Sequence, residues 1–162
     1  MRFYLKYFIT FLYSSFFLGS SKEGLRALKY HSINNEPKNK YLWNLDVNSF
    51  SDHLSFINER RIKVYGTNEL ISSIPSQGLV ITFDDGFKDN FEIAAPLLFK
   101  LNIPFSVFVI TDFVSQSRKQ YVDEAMLKEF AEHPLVTIGS HSCSHAKLTS
   151  CSLTDMKNEI SD

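Results

Sequence analysis

Apolar positions along the chain fall into short blocks whose spacing switches between that of strands and that of helices. Arg26-Ala27-Leu28-Lys29-Tyr30-His31 predicts a first short strand, and the polar stretch through Asn34, Asn35, Pro37 and Asn39 predicts a loop. Phe50, Leu54 and Ile57, at i, i+4 and i+7, predict a helix capped at Asn48 or Ser49. Gly78 to Phe83 is a near-continuous apolar run, the pattern of a strand covered on both faces in a parallel sheet. Phe91, Ala94, Ala95, Leu98 and Leu101 form a second helical stripe. Pro96 within it predicts a kink or a late start, because proline has no N–H to give the preceding turn. Phe105 to Ile110 predicts the next buried strand, closed by Thr111-Asp112. Asp123 to Glu132 reads as an amphipathic helix, Leu135 to Ile138 as a further strand, and Ser152-x-x-Asp155 as one more helix start.

Strands alternating with helices define an α/β chain with a parallel sheet built from right-handed crossovers. Ligands of such sheets bind beyond the carboxyl ends of the strands. Asp84, Asp85, Thr111, Asp112 and His141 each follow a predicted strand, so one edge gathers them, and His31 stands at the end of another. A complete eight-unit barrel takes about 250 residues. A chain of 162 residues holds only part of one.

Composition narrows the partners. With 44% apolar and 22% charged residues the chain is a folded one, and 17 Lys plus Arg against 18 Asp plus Glu leave no global field to draw nucleic acid. Two cysteines, Cys143 and Cys151, are too few for a disulfide scaffold and lack the paired spacing of a structural zinc site. A bridge between them would require an exported protein.

Residues 1–22 differ from the rest, with eight aromatics between Phe3 and Phe17. Arg2 and Lys6, then Tyr7 to Leu18, then Gly19-Ser20-Ser21 follow the order of a charged segment, an apolar segment and a small-residue cleavage site. This predicts export or membrane attachment. The alternative is an uncleaved amphipathic helix lying on a membrane or packed on a cytoplasmic domain.

Two clusters carry candidate chemistry: Thr82-Phe83-Asp84-Asp85-Gly86 and His141-Ser142-Cys143-Ser144-His145. Adjacent carboxylates at a strand end repel one another unless a cation or donors lie nearby. Histidines at i, i+4 can face one ion, and two His with one Asp leave an open coordination position, as in catalytic zinc sites. The carboxylate not on the metal can serve as a base. Taken singly, an Asp-Asp-Gly is most often a turn and a His pair more often unliganded; together on one edge they point to a metal site.

These two segments resemble the first two motifs of the polysaccharide deacetylase family, also called the NodB-homology or carbohydrate esterase family 4 domain. Leu25 to Leu70, with Tyr30-His31, is similar to the segment that precedes the first motif in deacetylases of bacterial exopolysaccharides. The resemblance implies a distorted (β/α) barrel and a metal-dependent hydrolase that removes acetyl groups from carbohydrate, usually N-acetylglucosamine units of a polysaccharide or oligosaccharide. It makes Asp84 the base and Asp85, His141 and His145 the ligands of one divalent ion, zinc first, with cobalt, nickel or iron compatible. Ser142 would brace the loop, and His31 and Thr111 are candidates to line the site. The family's later arginine motif and its Leu-His acid have no counterpart before Asp162. The expectation is therefore a signal-like segment 1–22 and, over 25–162, about the N-terminal two thirds of a deacetylase domain. Its alternatives are a non-catalytic metal- or glycan-binding remnant and a different metallohydrolase such as a phosphatase.

Overall fold

The computed structural model describes residues 24–35 and 43–161; the apolar segment 1–22 and Pro37 and Asn39 lie outside them. Strand β1 (Gly24–Tyr30) leads through His31 into the two-residue β2 (Ser32–Ile33), which pairs with β3 (Asn44–Leu45). Helix α1 (Val47–Glu59) follows, burying Phe50, Leu54 and Ile57. Its cap is Asp46, not Asn48 or Ser49. The Asp46 carboxylate accepts the Ser49 N–H at 2.9 Å and the Ser49 hydroxyl at 2.6 Å, so Ser49 is the donor inside the first turn.

After a 3₁₀ turn at Thr67–Ile71 comes β4 (Gln77–Phe83). The next helix contains a π turn, Asn90–Ala94, before the regular α2 (Ala95–Lys100). Pro96 explains the order: its missing N–H and bulky ring disfavour an ordinary turn below it, and the wider π turn gives the ring room. Strand β5 (Phe105–Val109) ends at Ile110, and Thr111, read from sequence as part of a strand end, opens the short α3 (Thr111–Ser115). Helix α4 (Glu124–Ala131) is capped by Asp123 onto the Met126 N–H. Strand β6 (Val136–Ser140) starts one residue later than the apolar pattern suggests and runs two further, because His141 N–H still bonds Val109. Helix α5 (Leu153–Ser161) completes the described chain, with Ser152 Oγ accepting the Asp155 N–H at 3.1 Å.

The four longer strands form one parallel sheet in the order β1-β4-β5-β6, an open arc consistent with an incomplete barrel. Alternate residues of the arc, Ile81, Phe83, Phe105, Val107 and Val136, pack against Phe50, Leu54, Phe91 and Leu98 of the helical layer. Phe83 sits at the middle of this core, fully buried, with ring centroids of Tyr30, Phe50 and Phe105 at 5.6, 6.0 and 5.7 Å. The next residue along the chain is Asp84, so the best-packed point of the core ends directly at the sheet edge where the candidate site lies.

Candidate metal centre

Parallel strands put all their carboxyl ends on one side. Asp84 N–H bonds the Tyr30 carbonyl at 2.9 Å and His141 N–H bonds Val109 at 2.7 Å. These bonds continue two strand pairs by one residue and fix the starting points of both polar segments.

The turn after β4 is held tightly. Asp85 has φ +73° and Gly86 φ +72°, both left-handed. A Cβ on Gly86 would lie 2.8 Å from Val109 Cγ1, so this position has room for glycine only. From the other side Val122 N–H bonds the Gly86 carbonyl at 3.0 Å. The histidine loop is also held in an unusual shape, with Ser142 at φ +65° and His145 at φ +64°. Ser142 Oγ accepts the His145 N–H at 3.1 Å, and Thr111 and Asp112 N–H groups bond the carbonyls of Ser142 and Cys143 at 3.3 and 3.0 Å. Non-glycine residues in this region cost about 1–3 kcal/mol each and persist only where neighbours over-determine them.

These constraints bring three ligand atoms together. Asp85 Oδ1 lies 3.5 Å from His141 Nε2 and 3.6 Å from His145 Nε2, and the three atoms fall within 4.8 Å of one another. Two donors bound tetrahedrally to zinc would stand about 3.4 Å apart. Asp85 Oδ1 is also buried without a hydrogen-bond partner. An orphaned carboxylate oxygen facing two imidazole nitrogens fits a cation, so the residues present suit a divalent ion.

Asp84 points to the same place but is held differently. Its Oδ2 lies 3.2 Å from Lys29 Nζ and 4.0 Å from His141 Nε2, and its side chain is 11% exposed. Lys29 escaped the sequence reading. It lies one position before the end of β1, and only the pairing of Lys29 with Thr82 in the register brings it alongside Asp84.

The two candidate lining residues, His31 and Thr111, are placed by contacts with groups other than the three ligand atoms. His31 stacks its ring on Trp43 at 5.6 Å, and its carbonyl takes the Asn90 amide. Thr111 stands behind the histidine loop, with its hydroxyl 3.4 Å from Cys143 Sγ. Cys143 and Cys151 are both free thiols. A cleft of about 550 Å³ opens beside the loop, lined by His141, His145, Leu148, Glu159 and Ile160 among others. Glu159 is a second residue that sequence reasoning missed. It bonds Ser144, which holds its carboxyl below the usual carboxylate range. Asp89 gathers Ser32 Oγ, Ile33 N–H and Asn34 Nδ2, tying the segment after β1 to the helix that follows Gly86. Burial raises the Asp89 carboxyl despite these bonds.

The parallel α/β arc thus presents a two-histidine, one-carboxylate cluster whose donor types suit a divalent ion, with a second carboxylate beside it. Residues 73–162, more than half of the chain, match the family described as polysaccharide deacetylase, and the chain belongs to that family. It is 27% identical over 144 residues to YxkH of Bacillus subtilis (strain 168), which carries a polysaccharide deacetylase designation; the match covers 85% of this chain and 49% of YxkH. The chain thus spans about half the length of that curated relative.

Solved structures share the fold. The deacetylase PplD of Streptococcus pyogenes, in complex with acetate, superposes with a TM-score of 0.75 at 20% identity, over 84% of this chain and 64% of PplD. BC0361, a polysaccharide deacetylase from Bacillus cereus, gives 0.73 at 20% identity over 85% and 45% of the two chains. IcaB from Ammonifex degensii gives 0.65 at 23% identity over 82% and 57%.

Proposed function

We propose that residues 25–162 carry the base and the metal ligands of a metal-dependent deacetylase acting on acetylated polysaccharide or oligosaccharide, with N-acetylglucosamine-type units as the substrate class. The observation that carries this reading is the buried, unpartnered Asp85 Oδ1 facing the Nε2 atoms of His141 and His145. Asp85, His141 and His145 would hold one divalent ion, zinc by donor type, with cobalt, nickel or iron compatible. When bound, such an ion supplies Lewis acidity toward an acetyl carbonyl and an acidified water.

The remaining roles assigned here fall to this chain's own residues. Asp84 accepts the proton of the water that attacks the acetyl carbon, and Lys29 at 3.2 Å sets the direction of its carboxylate. Ser142 keeps His145 turned inward by taking its N–H, and Thr111 holds the loop from behind. Membership of the polysaccharide deacetylase family supports the carbohydrate substrate. The charged, apolar and small-residue order of 1–22 supports export or membrane attachment. Among the described residues no helix is long and apolar enough to cross a membrane.

The test is acetate release from an N-acetylglucosamine oligosaccharide by the full chain with added zinc or cobalt, set against Asp84→Asn. Release that disappears in the variant supports the reading. Zinc binding with no release from any acetylated glycan would favour the non-catalytic alternative, and phosphate release without acetate release would refute the deacetylase assignment of the site.

A further inference from the structure

The histidine loop is held from two sides, and only one of them belongs to the sheet. Thr111 and Asp112 bond its carbonyls from the start of α3. The opposite side is held by α5. Glu159 Oε2 accepts the Ser144 N–H at 2.9 Å, its Oε1 accepts the Ser144 hydroxyl, and its backbone carbonyl accepts the Cys143 N–H at 3.2 Å. One residue thus takes three hydrogen bonds from the two residues that follow Ser142.

Among the described residues, helix α5 lies at the surface. None of its residues is buried, and the apolar Leu153 and Ile160 are 69% and 67% exposed. Met156 and Glu159 are its half-buried positions. Glu159 gives this helix polar contacts with the histidine loop. The loop depends on the same contacts, because Ser142 and His145 occupy left-handed backbone that relaxes when unsupported.

We propose that Glu159 is a positioning residue for the metal centre: by clamping Ser144 and Cys143 it holds His141 and His145 in the ligand-presenting shape and couples the docking of α5 to metal binding. This rests on the metal-site reading above. Partners that orient ligands from outside the coordination sphere change metal affinity by about 10- to 100-fold when removed. By reciprocity, an ion that favours the presented loop also favours the docked helix.

The experiment measures zinc affinity of the full chain by competition with a chromophoric chelator, together with amide exchange in α5. Glu159→Ala, which removes both bonds to Ser144 and keeps the backbone bond to Cys143, is expected to weaken zinc binding by about 10- to 100-fold and to reduce the zinc-induced protection of α5 expected in the parent. Glu159→Gln keeps an oxygen for the Ser144 N–H and should recover most of the affinity. Asn158→Ala, on the same helix without a bond to the loop, should bind as the parent does.

Affinity of Glu159→Ala within about twofold of the parent would overturn the clamp and leave the metal site standing. An equal loss in Asn158→Ala would overturn it too, by assigning the effect to the helix in general. A parent chain that binds no zinc overturns both the clamp and the site.

Discussion

Replacing Asp85 by asparagine removes the anionic oxygen that faces both imidazoles while preserving the shape of the turn. In the parent, that oxygen is buried and has no hydrogen bond, so the metal-free fold draws no hydrogen-bond stabilisation from it. The parent in zinc at about 100 times its dissociation constant gains about 2.7 kcal/mol of stability. For a chain of this size that corresponds to a rise of about 5–11 °C in melting temperature.

Losing one of three ligands costs at least the ~100-fold that removal of an outer partner can cost. At the same zinc concentration the variant is then at most half saturated, and its gain falls to about 0.4 kcal/mol, or about 1–2 °C. Calorimetric scans of both proteins with and without zinc provide the comparison. A zinc shift in Asp85→Asn equal to that of the parent would refute the ligand assignment. A metal-free variant much less stable than the metal-free parent would refute the claim that this oxygen is unsatisfied.

Three further outcomes follow from the same geometry. Phe83→Ala empties the centre of the aromatic cluster and should cost about 3–5 kcal/mol in urea unfolding; a loss below about 1 kcal/mol would contradict its central place in the core. Gly86→Ala meets both a φ of +72° and Val109 Cγ1 at 2.8 Å, so it should destabilise the fold by about 1–3 kcal/mol and weaken zinc binding; unchanged zinc affinity would show that the turn does not position Asp85. Burial raises the Asp89 carboxyl, so the folded chain holds that proton more tightly than the unfolded one. Its favourable contribution is complete below the ordinary carboxylate range and is lost as pH rises through the raised value. The stability of the parent relative to Asp89→Asn should therefore fall as pH rises from the ordinary carboxylate range through the raised value, and a difference that grows with pH would invert the assignment.

The order of amino acids was enough to reveal the alternation of strands and helices, since each element needs an apolar face of its own period to bury. Phe50, Leu54 and Ile57 marked α1, and Gly78 to Phe83 marked β4, whatever lay beside them. Local order also placed the Asp84-Asp85-Gly86 turn and the His141-x-x-x-His145 spacing, because turn chemistry and ligand spacing are properties of neighbours in the chain. Caps and boundaries were less legible. Asn48, Ser49 and Asp46 are all acceptable caps, and only the folded geometry made Asp46 the acceptor and Ser49 the donor.

Contacts between residues far apart in the chain came from the folding of the whole. Lys29 reaches Asp84 only through the parallel register of β1 and β4, 55 positions apart, and Glu159 reaches Ser144 only because α5 folds back over the loop. Nothing in the local pattern distinguishes either residue from a solvated surface charge. The motifs named the atoms that can meet a metal. The left-handed turns at Asp85, Ser142 and His145, and the bonds that hold them, make those atoms converge.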